Sequence, residues 1–430
     1  MALTGRAVAL LALGAVPVLA LPQWQTLATW LVLVGVLCGL DALRAAAPGQ
    51  VRARREPIPA MRLGAQAISE VVLVNGGTRP LRALVRDAWQ PSAGARANRH
   101  RVTIPAGQVR RVRTPMAPER RGDVSAAGLT VRSFGPLGLL ARQRTIDVPG
   151  QLRVLPAFSS RRHLPSRLAR LREMDGRTAV NVRGQGTEFD SLREYVIGDD
   201  VRAIDWRASA RRADVVVRTW RPERDRRVLL VLDTSRLAAA RLGEVPRLDA
   251  GIEAALLLSA LATRAGDRVE LVAADRSLHT RVRGAQGAGL MSAMAEALSS
   301  LEPQLLEPDW AVVAREIRQR LSQRALVVFL TGLEPGAIES GLAPVVAAVG
   351  RDHQVVLASA DDPGGEEMRR QRESTTELFD AAAAERAELE RDALGQRLQR
   401  TGARVVRRGP YDLAPALADT YLALKAAGKL

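Results

Sequence analysis

Apolar residues follow three rhythms along this chain, and each rhythm predicts a different kind of element. From Ala7 to Leu21, and again from Leu27 to Leu40, the residues are almost all apolar and none is charged. A bilayer core takes about 20 helical residues, so each run is short for a span as it stands. Extension back to Leu3 and outward to Trp24 and Leu43 brings both to length, with Arg6, Trp24 and Asp41 near the interfaces. The pattern predicts a transmembrane helical hairpin over residues 1–47 and a Pro- and Gly-containing linker over 48–60. Arg6 precedes the hairpin, and Arg44, Arg52, Arg54 and Arg55 follow it. The positive-inside rule then places both ends and the soluble body on the cytoplasmic side of the cell inner membrane. A signal peptide cleaved after Val18-Leu19-Ala20 is the rival reading. The second apolar run, only a few residues later, speaks against it.

Residues 61–150 show short alternating segments, Val71–Asn75, Leu81–Trp89, Arg101–Pro105 and Leu129–Ser133, separated by Gly- and Pro-containing turns. This spacing predicts a small antiparallel β-sandwich with no cluster of catalytic residue types. Residues 151–226 form a connector in which Leu164, Leu168 and Leu171 recur at helical spacing. Over 227–430 continuous apolar runs alternate with helical patterns. Val228–Leu232, Arg268–Ala274, Ala325–Leu330, Gln354–Ser359 and Ala403–Arg407 read as buried strands, with Leu278–Val282 as an edge. That is an α/β body with a doubly wound sheet, whose ligand sites lie at the carboxyl ends of the strands.

Composition adds limits. The net charge of +17 comes almost entirely from arginine, Lys425 and Lys429 being the only lysines. With aromatics at 3% and no basic-aromatic interleaving, the charge does not read as a nucleic-acid surface; it favours an anionic membrane or an acidic partner. Cys38 is the only cysteine and the four histidines are scattered, which excludes an intramolecular disulfide and leaves no zinc-ligand spacing.

The densest chemistry lies in Thr187–Arg211, TEFDSLREYVIGDDVRAIDWRASAR. Glu188, Asp190, Glu194, Asp199, Asp200 and Asp205 are interleaved there with Arg193, Arg202, Arg207 and Arg211, and with Tyr195 and Trp206. Mixed charge with bulky side chains predicts carboxylate–guanidinium pairs, Arg193, Arg202 and Arg211 with Asp190, Asp199 or Asp205, and buried Tyr195 and Trp206. Val201, Ile204 and Ala208 predict a helix capped by Asp199 or Asp200. In the body, Asp233 and Ser235 follow the first strand. A carboxylate and a hydroxyl so placed either share a hard cation or cap the next helix.

This strand end resembles the von Willebrand factor A fold, whose metal-ion-dependent adhesion site uses D-x-S-x-S with a later Thr and Asp. Asp233 and Ser235 match the first two positions. Leu237 stands at the third and Gly332 in the aspartate's place, so the resemblance implies a degraded site for Mg2+, with Thr331 or Glu334 as substitute ligands. The stretch F-x-x-L-R-E-Y-x-x-G-D-D-x-R-x-I-D-W-x-x-x-A-R, Phe189 to Arg211, resembles the signature of the domain-of-unknown-function 58 family. The segment SFGPLGLLARQR at Ser133–Arg144 and the closing YLALKAAGKL extend the resemblance over nearly the whole chain. The family is found beside MoxR-type AAA+ ATPases. The resemblance therefore implies a bacterial, non-enzymatic, membrane-anchored adaptor for such an ATPase, acting on client or envelope proteins. The alternative is a metal-dependent hydrolase built on Asp199, Asp200 and Asp205.

Overall fold

A computed structural model describes residues 2–181, 188–212, 214–221, 226–285, 287–334 and 341–430. The chain divides into two compact units, Met1–Ala157 and Phe158–Leu430.

The first unit opens with β1 (Ala2–Leu3) and two short apolar helices, α1 (Gly5–Leu13) and α2 (Ala15–Ala20). Pro17 sits within α2 and has no N–H for the helical ladder, which suits a run already broken at Gly14. Then comes α3 (Trp24–Arg44), 21 residues long and the one helix among those described that is long and apolar enough to cross a membrane. The Trp30 indole N–H on α3 donates to the Leu10 carbonyl at 3.3 Å, and Ala7, Val34 and Cys38 pack together with Leu139.

Asp41, expected at an interface, is instead buried. Its carboxylate accepts the backbone N–H groups of Leu137 and Leu139, each at 2.7 Å, and of Leu140 at 3.2 Å. A lone buried carboxylate is costly, and these donors supply what water would have supplied. The FGPLGL segment is thus the receptor for the end of α3.

The strands that follow are β2 (Val51–Arg55), β3 (Met61–Arg62), β4 (Ala67–Asn75), β5 (Leu81–Trp89), β6 (Arg99–Ile104), β7 (Val109–Met116), β8 (Gly122–Phe134), β9 (Leu140–Ile146) and β10 (Gln151–Leu155). The linker expected over 48–60 is corrected here. Val51–Arg55 is an edge strand paired antiparallel with β4, with Arg52 and Arg54 outward between the more buried Val51, Ala53 and Arg55. Its charged outer face disguised the alternation. β2, β4 and β7 form a three-stranded sheet, and the remaining strands a seven-stranded one. Leu73, Val71 and Val112 of the first share one apolar cluster with Leu81, Val85, Ile104 and Val131 of the second.

One polar network crosses between these sheets. Arg55 grips Asp87 through its two terminal guanidinium nitrogens, at 2.7 and 3.1 Å, and its side chain is 3% exposed against 0% for Asp87. Ser69 and the Trp89 indole also donate to Asp87. The Arg55 guanidinium lies 4.7 Å from the Trp89 ring centre, a stacking distance for a cation on an aromatic face.

The second unit begins with α4 (Leu164–Asn181), then a separate two-stranded sheet of β11 (Glu188–Glu194) and β12 (Val216–Arg221) with α5 (Trp206–Arg212) between them. The body follows as β13 (Arg227–Asp233), the short pair β14 (Arg241–Leu242) and β15 (Val245–Pro246), α6 (Arg247–Arg264), β16 (Arg268–Ala274), β17 (Leu278–Val282), α7 (Gly287–Ser299), α8 (Trp310–Arg320) and β18 (Leu326–Leu330). It ends with α9 (Ala343–Asp352), β19 (Gln354–Ala360), α10 (Pro363–Arg370), α11 (Thr375–Arg400), β20 (Arg404–Arg408) and α12 (Leu413–Ala426).

The six-stranded sheet has the order β17-β16-β13-β18-β19-β20, parallel except for β17. Leu230, Leu232 and Val328 face α6, α7 and α12, while Leu229, Val231 and Phe329 face α8, α9 and α11. A sheet covered on both faces explains why its strands read as continuous apolar runs. The closing YLALK is a clasp on this body. Tyr421 and Lys425 both donate to the buried Asp267 carboxylate just before β16, Lys425 at 2.8 Å.

Candidate functional site

In a doubly wound sheet the strand order reverses at one place, and the crevice outside the carboxyl ends there is the natural binding position. Here the reversal lies at β13, flanked by β16 and β18. Asp233 ends β13, and Thr331 and Glu334 follow β18.

The Asp233 carboxylate is buried, and each of its oxygens has a partner. The Ser235 N–H donates to Oδ1 at 2.8 Å, and the Thr331 hydroxyl donates to Oδ2 at 2.5 Å. Burial pushes this carboxyl above its ordinary range, while the bonds from Thr331 and Ser235 and the charge of Arg247 oppose the rise. Ser235 Oγ accepts the Leu237 N–H at 3.3 Å, as an Asx- or ST-type turn does.

Arg247, the first residue of α6, completes the site, and its role was not read from the sequence. Its guanidinium donates to the carbonyls of Leu237 (2.9 Å) and Ala360 (3.1 Å) and to the Glu334 carboxylate (3.1 Å). A Cβ at Gly332 would collide with Arg247 Nη1. Gly332 therefore makes room for the guanidinium, where the adhesion-site pattern has an aspartate. A divalent cation needs several oxygens with lone pairs free to face it. Asp233 is committed to Ser235 and Thr331, Glu334 to Arg247, and the space beside Gly332 holds a positive charge, so these residues do not fit Mg2+. The cavity that Asp233, Arg247 and Thr331 line has a volume of about 10 Å3, the room of a single water. Among the described residues no three His, Cys, Asp or Glu side chains converge as metal ligands.

The neighbouring strand ends also carry aspartates, each with a side-chain partner. Asp275, just past β16, is buried and meets His279 Nε2 at 2.6 Å. Asp361, just past β19, meets Arg407, which also binds Glu388 and Asp392. Asp275 and His279 are four residues apart around a tight turn, a spacing that could have been noticed in the sequence.

Of the ion pairs expected in the signature stretch, Arg193 with Asp199 is present, and it is local and half-exposed. Arg193 binds Asp199 at 2.6 and 2.7 Å, with side chains 37% and 21% exposed. Asp199 also accepts the Val196 N–H, so the pair fixes the turn Val196–Asp199. Asp200 accepts the Arg202 N–H and caps a single 3-10 turn, Val201–Ala203. The helix expected through Val201, Ile204 and Ala208 is split, because Ile204 is extended and bridges Val217. Asp205 caps the helix that follows, its Oδ1 accepting the Ala208 N–H at 3.0 Å while Arg218 binds Oδ2 at 2.9 Å. The Ala208 bond, aided by Arg218, holds the Asp205 carboxyl below its usual range.

Three expectations are corrected. The partner of Asp205 is Arg218 rather than Arg193, Arg202 or Arg211, and Asp199, Asp200 and Asp205 serve separate turns rather than one carboxylate cluster. Trp206 is not buried. It is 68% exposed, with Ile197 at 97%, Val196 at 62% and Val201 at 61%, and Tyr195 is half-buried. The local reason is that Trp206 opens α5 on its solvent side, while Ala208 and Ser209 take the inner side. Glu194, Arg202, Arg207 and Arg211 are exposed. The Glu188 and Asp190 side chains and all of Thr187 lie outside the described residues.

A family model of proteins of unknown function, DUF58, matches residues 191–407, just over half of the 430-residue chain. The chain belongs to the DUF58 family. The match takes in most of the signature and the body as far as β20. An uncharacterized protein of Mycobacterium tuberculosis strain H37Rv is 26% identical over 189 residues, 44% of this chain and 59% of the relative. An uncharacterized protein of Mycobacterium bovis gives the same figures. The alignment thus spans about three fifths of the curated relatives' length. Among solved structures, the SpRpn10 VWA domain is 12% identical with a TM-score of 0.26, covering 46% of this DUF58 chain and 94% of that domain. A PapD-like domain of human CEP192 is 14% identical with a TM-score of 0.19, covering 25% of this chain and 87% of that domain.

Proposed function

We propose that this DUF58 protein is a non-enzymatic, membrane-anchored adaptor that docks a MoxR-type AAA+ ATPase through its signature stretch, in protein assembly or cell-envelope maintenance. The observation that carries the reading is the exposure of Val196, Ile197, Val201 and Trp206 in a stretch where Asp199, Asp200 and Asp205 are already engaged in their own turns. Large apolar side chains in water are a liability unless something covers them. Arg202, Arg207 and Arg211 are exposed in the same stretch, so the complementary occupant is an acidic segment of a partner protein that brings apolar side chains of its own. The ion pairs keep the turns that carry these residues rigid, which lowers the ordering cost of binding.

On this reading α1–α2 and α3 are the two spans of a hairpin, both ends and the von Willebrand factor A-like body face the cytoplasm, and the strands of the first unit form a sandwich that serves as a rigid platform. Client and envelope proteins would be handled by the ATPase once docked. No observation favours the metal-dependent hydrolase, since Asp199, Asp200 and Asp205 are each engaged in a separate turn. Co-purification of the full chain in detergent with a MoxR-type ATPase, with and without ATP, tests the proposal; absence of association under both conditions would end it.

A further inference from the structure

We infer that Arg247 is a built-in replacement for the divalent cation of an adhesion-type strand-end site, so that this edge of the body is held together without metal. Three facts converge on it. The guanidinium stitches the segments after β13 and β18 to the last residue of β19 through Leu237 O, Glu334 and Ala360 O, which is the work a shared cation does when it collects ligands from several segments. Gly332 gives up its side chain to the same guanidinium. Both oxygens of Asp233 are engaged by the chain itself, Oδ1 by the Ser235 N–H and Oδ2 by the Thr331 hydroxyl, while the Arg247 charge only partly offsets the burial that raises this carboxyl.

The substitution has a physical consequence. A metal site can be emptied, and its open coordination position can be filled by a carboxylate from a partner. A guanidinium attached to α6 cannot dissociate, and Arg247 is only 11% exposed, with each of its three nitrogens hydrogen-bonded. The edge is therefore set in one state, and recognition by this body does not respond to divalent cations. Arg407 does comparable work beside the end of β19, where it binds Asp361, Glu388 and Asp392.

The test is Mn2+ binding followed by electron paramagnetic resonance on the full chain in detergent, with thermal unfolding in Mg2+ and in EDTA alongside. The wild type is expected to bind no Mn2+ at this site and to unfold at the same temperature in both buffers. The double variant Arg247→Ala with Gly332→Asp removes the resident cation and restores the missing carboxylate. It is expected to gain Mn2+ binding, lost again when Asp233→Asn is added. Wild-type binding abolished by Asp233→Asn would overturn the inference, and so would a double variant that is folded by circular dichroism yet silent toward Mn2+. Should the double variant fail to fold, the wild-type measurement decides: silence supports the inference, and Asp233-dependent binding overturns it.

Discussion

The space that a side chain at Gly135 would fill is occupied by the Asp41 carboxylate and backbone carbonyl. This contact explains two features together, a charged residue near the end of the long apolar helix and a glycine-bearing FGPLGL segment some ninety residues later. The loop presents a row of backbone donors, and the aspartate satisfies them.

Gly135→Ala should therefore destabilise the first unit by about 1–3 kcal/mol, the usual cost of forcing an atom into filled space. Asp41→Ala should cost at least as much, because it strands buried N–H groups at about 1–3 kcal/mol each. Thermal unfolding of the full chain in detergent reads both, and a value unchanged from wild type would show that the loop does not hold the helix.

The Arg55–Asp87 pair bridges the two sheets of the first unit. Removing one partner of a buried pair costs about 3–5 kcal/mol, so Asp87→Ala should lower the denaturation midpoint markedly. Exposed pairs such as Arg96–Glu119, with side chains 88% and 63% exposed, should be worth no more than about 1 kcal/mol.

The same network sets a pH dependence. Burial alone would raise the Asp87 carboxyl, but Arg55, Trp89 and Thr114 outweigh it and hold the carboxyl below its ordinary range. Burial lowers the His100 imidazole, with the Asp87 charge pulling the other way, and His100 also bonds Thr114 at 3.0 Å. A depressed histidine keeps its contribution above about pH 6.5 and loses it as pH falls below that value; a depressed aspartate loses its own below about pH 4. Both act in one direction. Stability of the first unit should decline on acidification in two steps, and His100→Gln should remove the upper one in a pH series of unfolding midpoints.

Lys425→Ala should destabilise the second unit by about 3–5 kcal/mol by leaving Asp267 buried without its cation. Asp205→Ala should behave differently. Its pair with Arg218 is local and its cap serves only α5, so the variant should lose local order around residues 205–212 while the unfolding midpoint of the body stays put. Hydrogen exchange of the α5 amides, compared with those of β13, separates the two effects.

The body was legible because its strands are apolar on both faces and its helices periodic; Val228–Leu232 and Ala325–Leu330 could be little else. Asp233 could be placed because a residue directly after such a strand has one position available. Arg247 could not, since nothing in a linear pattern says that a guanidinium at the start of α6 reaches the carboxyl ends of three strands. Trp206 differs for a related reason: an aromatic side chain in a mixed-charge stretch predicts burial, whereas Asp200 and Asp205 cap their own turns and the ring stays in solvent. Val51–Arg55 was hidden by arginine on its outer face. In each case the missing information was a long-range partner or a side-chain direction, which composition and spacing do not encode.

Binding of a partner by the exposed apolar face of the signature can be read from the affinity of a MoxR-type ATPase for the detergent-solubilised chain and for its Ile197→Asp and Trp206→Ala variants, with circular dichroism to confirm that each is folded. The account predicts that the wild type binds, that each variant loses at least tenfold in affinity, and that binding by the wild type weakens with added salt as arginine-mediated contacts do. Wild-type affinity in both folded variants would contradict it.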